Sequence, residues 1–289
     1  MTRSEEVKQL LSMSVEELKK KAGNKLVIMR GLDELHQSFA RNIADEIKAN
    51  NDAGKPTKLI LPVGPTGQYP ILKEAINSER ISLKNCHFFY MDEGADDSGK
   101  AISSEHPLSF RGEMQEMFYS KIDKELMIPE EQLVFPSNEN VHTLKDKIAQ
   151  AGGIDTCYGG IGIHGHVAFN EPEPNVKYSD PRLVYLNQYT ITINAIRSEI
   201  GGDLVNFPRK ALTLGMNQIR KASRIRLYCR NDIPGIDWAN LVLRMAALGK
   251  PGDDYPVTHL SDHPDYVITT TEETAASPKY VLPLPYETD

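Results

Sequence analysis

The chain has 289 residues, of which 40% are apolar and 25% charged, and it carries a net charge of −7. That length suits one large domain or two small ones with a sizeable core. The acidic balance excludes a general nucleic-acid binder, which needs a basic stripe, but not an anionic substrate, because a few local donors hold one phosphate.

Residues 4–21 set Val7, Leu10, Leu11, Met13, Val15 and Leu18 among many charges. This reads as a helical arm over 1–24, or two short helices with Ser14 capping the second through Glu17. The arm either packs on the main body or serves as a contact between copies or a regulatory element. From there the chain alternates. Lys25 to Arg30 reads as a strand, and Leu32 to Asn50 as a helix with Leu35, Phe39, Ile43 and Ile47 four apart. Lys58 to Val63 is a continuous apolar strand followed by a glycine turn and a helix. Further strands are expected at Cys86–Met91, Asp155–Gly160, Lys210–Gly215, Arg224–Cys229 and Tyr266–Thr271. Strands alternating with helices predict an α/β fold, a three-layer α/β/α sandwich on a mainly parallel sheet. With no linker and no repeat, residues 25–289 read as one domain.

The longest apolar runs, such as Leu59 to Val63, are far too short to cross a bilayer. The start Met-Thr-Arg-Ser-Glu-Glu lacks the apolar segment of a secretory signal. The three cysteines, Cys86, Cys157 and Cys229, form neither a disulfide framework nor a metal spacing. A reducing cytoplasm and no membrane partner are therefore expected.

In open parallel sheets, ligands bind at the carboxyl ends of strands, and three such ends carry chemistry. The first, Leu61-Pro62-Val63-Gly64-Pro65-Thr66-Gly67-Gln68, reads as an anion turn. Backbone amides of Gly64 and Gly67 and the Thr66 hydroxyl would face a common point at a helix start. A plain strand-to-helix turn is the alternative. The second is Tyr90-Met91-Asp92-Glu93-Gly94, two adjacent carboxylates after a buried strand. They suit either a general base with a burial-raised pKa or a helix cap. The third, Gly159-Gly160-Ile161-Gly162-Ile163-His164-Gly165-His166-Val167-Ala168-Phe169-Asn170-Glu171-Pro172, holds two histidines and a glutamate within eight residues of a glycine-rich loop. A carboxylate beside a histidine can fix its tautomer for proton transfer near neutral pH. Two histidines two apart, with Asp92 and Glu171 as further ligands, also suit zinc, provided the fold sets all four in the right geometry.

Together these stretches resemble the glucosamine-6-phosphate deaminase family, within the superfamily that also holds 6-phosphogluconolactonases. Its Gly-x-Gly-x-Asp-Gly-His-Ile-Ala-Phe-Asn-Glu-Pro signature is matched by Gly160 to Pro172, its Met-Asp-Glu by Met91 to Glu93, and its Glu-His-Pro by Glu105 to Pro107. Ala211-Leu212-Thr213-Leu214-Gly215 and Leu260 to Pro264 follow in the family's order. The resemblance implies a Rossmann-like fold and an aldose–ketose isomerase that deaminates an amino-sugar 6-phosphate with no metal or organic cofactor. Its partner would be a small sugar phosphate, and a homo-oligomer is left open. It implies that Asp92 moves a proton between C1 and C2, and that His166, oriented by Glu171, assists ring opening. Gly64, Thr66, Gly67 and Glu93 would hold the substrate. Where the family has aspartate this chain has His164, which either replaces it as the partner of His166 or points away from the catalytic groups. Ile191 stands where the phosphate-clamping arginine is expected, and the stretch Arg230 to Gly235 after Cys229 offers no lysine, leaving Arg230, Arg111, Arg197 or Arg209 as substitutes. A sugar-phosphate hydrolase and a non-catalytic sensor are the rival readings.

Overall fold

A computed structural model describes residues 1–283. In chain order the elements are α1 (Arg3–Leu11), α2 (Val15–Ala22), β1 (Leu26–Met29), α3 (Leu32–Asp52), β2 (Thr57–Leu61), α4 (Gln68–Ser78), β3 (Cys86–Tyr90) and β4 (Asp92–Ala95). Then come α5 (Phe110–Met117), β5 (Leu133–Val134), α6 (Leu144–Gln150), β6 (Thr156–Gly160), β7 (Arg182–Tyr185) and α7 (Gln188–Arg197). The chain continues through β8 (Lys210–Thr213), α8 (Met216–Arg220), β9 (Arg224–Tyr228), α9 (Asn240–Leu248), β10 (Tyr266–Thr271) and α10 (Glu272–Ala275). No helix among the described residues is long and apolar enough to cross a membrane.

Seven strands form one parallel sheet in the order β1-β10-β9-β6-β2-β3-β5. Continuous apolar runs such as Leu59-Ile60-Leu61 form its centre because both faces are covered. On one face Leu35, Phe39, Ile43 and Ile47 of α3 are wholly buried, and Phe39 stacks on Tyr228 of β9 at 3.7 Å. The other face is covered by α9 and α8 through Leu243, Ala246 and Ile219. The arm helices α1 and α2 begin at capping boxes, Thr2 with Glu5 and Ser14 with Glu17. Arg244 of α9, its guanidinium buried, donates to the carbonyls of Leu10 in α1 (2.9 Å) and Ala275 in α10 (2.9 Å).

After β2 the chain adds strands on one side of the sheet, and after β6 on the other. The switch point lies between β2 and β6, where a ligand crevice is expected. The turn 64–67 ends β2 and the loop 160–172 ends β6, so both flank it. They touch closely: a Cβ on Gly160 would lie 3.1 Å from the Gly64 carbonyl oxygen.

One expectation is corrected. Lys210–Thr213 does not join the parallel series; it is the middle strand of a second, antiparallel sheet, β4-β8-β7. Its apolar run announces a strand, but its partner β4, Asp-Glu-Gly-Ala, has no apolar run, and nothing local to β7 says which strand it pairs with. This small sheet begins two residues after the end of β3 and pairs Asp92 with Thr213. It turns the chain out of the main sheet at the position of the candidate base.

Candidate active site

A cavity of about 700 Å³ opens above the switch point and is lined by Thr66, Asp92, His166, Arg197 and Arg230 among others. Alternation along β4 sends its two adjacent carboxylates opposite ways. Asp92 lines the cavity and is 7% exposed. Burial, with the neighbouring Glu93 carboxylate adding to it, pushes its pKa up to about 8. Glu93, expected to hold substrate, turns away from the cavity. Its oxygens accept from the amides of Gly94 (2.9 Å), Phe110 (3.0 Å) and Arg111 (2.8 Å) and from Ser109 Oγ (3.2 Å). That carboxylate is occupied in fixing the start of α5, the capping role that was the alternative for this pair.

The glycine loop positions His166. Gly162 N–H donates to the His166 carbonyl (2.9 Å), and Gly165, at φ +68°, closes the turn. The imidazole lies flat on the bare face of Gly162, where an added Cβ would fall 1.9 Å from Nε2. Its Nδ1 is 3.5 Å from Glu171 Oε2. Burial acts upward on the Glu171 carboxyl, but His166, Thr190 and Asn187 outweigh it and hold the pKa below its ordinary value. Asn170, between them in the motif, is a staple: its Nδ2 donates to the carbonyls of Val167 and Leu214, both at 2.9 Å.

His164 is not the partner of His166. Its ring stands outside the cavity lining, edge-on to Tyr189 at 4.7 Å, with Nδ1 3.0 Å from Asn187 Nδ2. Burial lowers its pKa, Glu171 opposes this, and His166 adds to the lowering. Sequence reading missed Asn187. The signal available was its place just before a helical run, since asparagine is a favoured N-cap.

At the other end of the cavity, Gly64, Pro65 and Thr66 line the wall ahead of α4. Gly67 instead backs the turn: a Cβ there would meet the His36 ring at 2.3 Å. Ile191, at the expected arginine position, packs against the small cluster of Phe169, Val184 and Leu186. Arg197, at the C-terminus of α7, enters the cavity in its place. Arg197 Nη2 and Arg230 Nη2 converge on Asp232, at 2.8 Å to Oδ1 and 3.1 Å to Oδ2. Arg197 also lies over the Trp238 ring at 4.5 Å. The loop that carries Arg230 and Asp232 is pinned at Asn231, buried between them, which accepts from Ala239 N–H (2.8 Å) and donates to Asn240 Oδ1 (3.0 Å). Arg111 and Arg209 are exposed outside the cavity. A guanidinium has five N–H donors, and Asp232 engages a minority of each pair member's, so both arginines can still take an anion.

No protein-family model matches the chain. It is 33% identical over 210 residues to a glucosamine-6-phosphate deaminase of Caenorhabditis elegans, covering 70% of this chain and 74% of that protein. To a protein of the same name from Aliivibrio fischeri it is 30% identical over 256 residues, covering 86% and 90%. Among solved structures, a monomeric glucosamine-6-phosphate deaminase of the NagB superfamily superposes with a TM-score of 0.75 at 27% identity, covering 87% of this chain and 98% of that one. A 6-phosphogluconolactonase from Leishmania guyanensis, at 14% identity and a TM-score of 0.62 over 88% and 97% of the two chains, shares the fold. This chain belongs to the glucosamine-6-phosphate deaminase family.

Proposed function

We propose that this protein is a cytoplasmic enzyme that converts glucosamine 6-phosphate and water to fructose 6-phosphate and ammonia. The observation that carries the reading is a buried carboxylate of raised pKa, Asp92, facing the same cavity as a histidine backed by Glu171. His166 uses its cavity-side nitrogen to move the proton that opens the sugar ring, while Glu171 steadies the positive charge this puts on the imidazole. Asp92 takes the C2 proton of the open-chain amino aldose and returns it to C1. Water then adds to the resulting C2 imine, and ammonia leaves. The phosphate lies at the 64–67 turn, where amides and the start of α4 favour an anion, and Arg197 and Arg230 supply the positive charge.

The test is a screen of hexose and hexosamine 6-phosphates in which ketose and ammonia are read separately. Both products in equal amounts from glucosamine 6-phosphate are expected. Hydrolysis of a phosphogluconolactone without either product would favour the lactonase branch instead.

The arginine pair makes its own prediction. Arg230→Gln removes one charge-assisted contact to the phosphate, worth about 1.5–3 kcal/mol. KM for the sugar phosphate and Ki for inorganic phosphate should both rise about 10- to 100-fold, with kcat changing little. An unchanged Ki in a folded variant would remove Arg230 from the anion site.

A further inference from the structure

The Asn187 side chain sits where three elements meet. As N-cap of α7 its Oδ1 accepts from the amides of Tyr189 (3.0 Å) and Thr190 (2.9 Å). Because only the oxygen can accept, this fixes which way the amide points. Nδ2 must then face the other way, and there it meets two groups: Glu171 Oε2 at 2.5 Å and His164 Nδ1 at 3.0 Å. Asn187 N–H adds a longer bond to Glu171 Oε1, 3.4 Å. The amide therefore meets a partner at each of its two N–H groups and at both oxygen lone pairs.

Two protonation states follow. Nδ2 is a donor only, so His164 Nδ1 must accept, and the His164 proton sits on Nε2. A second proton on His164 would set N–H against N–H at Asn187. Glu171 Oε2 accepts from Asn187, and it faces His166 Nδ1 at 3.5 Å. That favours the proton of His166 on Nδ1 and leaves its Nε2, over Gly162, as the basic nitrogen. The charged and titratable groups around His164 are Glu171 and His166, with the Tyr189 ring T-shaped to it.

We propose that Asn187 is a positioning residue that ties the start of α7 to Glu171 and locks His164 as the neutral Nε2–H tautomer, so that proton transfer places charge on His166 alone. The kinetic part of this inference rests on the deaminase reading; the tautomer part does not.

The experiment compares wild type with Asn187→Ser and Asn187→Asp. Serine keeps an N-cap acceptor for α7 but cannot reach both Glu171 and His164. Nitrogen-15 NMR of labelled histidines, read on the unliganded protein, should show His164 as the Nε2–H form in wild type and a mixture of tautomers in Asn187→Ser. Asn187→Asp reverses the polarity at His164 Nδ1, which should become protonated, and should raise the pH at which His164 titrates. With substrate, Asn187→Ser should lose about tenfold in kcat with KM within about twofold, the pattern of a group acting on the reacting step. Thermal melts identify a variant that fails to fold, and the wild-type spectrum then still decides. An Nδ1–H His164 in wild type would overturn the proposal, and so would unchanged tautomers and kcat in a folded Asn187→Ser. Altered tautomers in a protein that turns over no amino-sugar phosphate would leave the lock standing and overturn the deaminase reading.

Discussion

Asp92→Asn should lower kcat for glucosamine 6-phosphate by about 10²–10⁴, the usual effect of losing a general base, while Ki for inorganic phosphate stays within about twofold. The amide is nearly isosteric, and the proposed phosphate site is built from other elements. Wild type should also show the raised pKa directly. A base must be ionised, and at pH 7 a group with a pKa of about 8 is ionised in about a tenth of molecules. kcat/KM, which reports the free enzyme, should therefore climb with pH and level off above about 8. The ammonium of bound substrate is an opposite charge that favours the ionised carboxylate, so the limb in kcat should lie at lower pH. Stability follows the same sign. A carboxyl whose folded pKa is raised stabilises fully only below its unfolded value, and that contribution is lost as pH rises through about 8. Asp92→Asn should then melt no lower than wild type, with its largest advantage above pH 8. More than half of wild-type turnover in Asp92→Asn, or a flat kcat/KM between pH 6 and 8, would remove Asp92 from the reaction.

The second large effect is expected at Gly162. An alanine Cβ would fall 1.9 Å from His166 Nε2 and 2.2 Å from Cε1. The imidazole is 9% exposed and cannot stay where it is. Since about 1 Å of misplacement can cost 10²-fold, Gly162→Ala should lose at least about 10² in kcat/KM. Overpacking of this kind typically destabilises by about 1–3 kcal/mol, so the variant should still fold at 25 °C. Circular dichroism to establish folding, followed by kinetics, checks this. A folded Gly162→Ala enzyme within about threefold of wild type would mean that the ring is not used in the position it occupies.

How far the sequence could be read depended on the range of the signal. The strands at Thr57–Leu61, Cys86–Tyr90 and Tyr266–Thr271 and the long helix α3 were legible because apolar runs and four-residue spacing are local. Adjacent carboxylates at 92 and 93 were legible as a pair, but not their opposite fates. Those depend on β4, a four-residue strand whose existence rests on pairing with β8 more than a hundred residues away. His164 was legible as a departure from the family pattern. Its partner, Asn187, comes from the start of a helix 23 positions on, and no spacing rule joins them. The clamping arginine was expected at 191, and Arg230, Arg111, Arg197 and Arg209 were left unranked as substitutes, of which Arg197 and Arg230 reach the cavity. Arg197 gets there because it ends α7 beside the Asn231-pinned loop, an arrangement fixed by tertiary packing rather than by local pattern.

The most direct test of the account follows one hydrogen. Glucosamine 6-phosphate carrying deuterium at C2 is turned over to completion, and ketose, ammonia and the label at C1 of the ketose are measured together. Asp92, 7% exposed and facing both carbons in the proposed reaction, should carry part of the deuterium from C2 to C1 before solvent exchanges it. Ketose and ammonia should then form in equal amounts, with label detectable at C1. Ammonia without ketose, or ketose whose newly added C1 hydrogen comes wholly from solvent, would contradict a single buried carboxylate shuttling the proton.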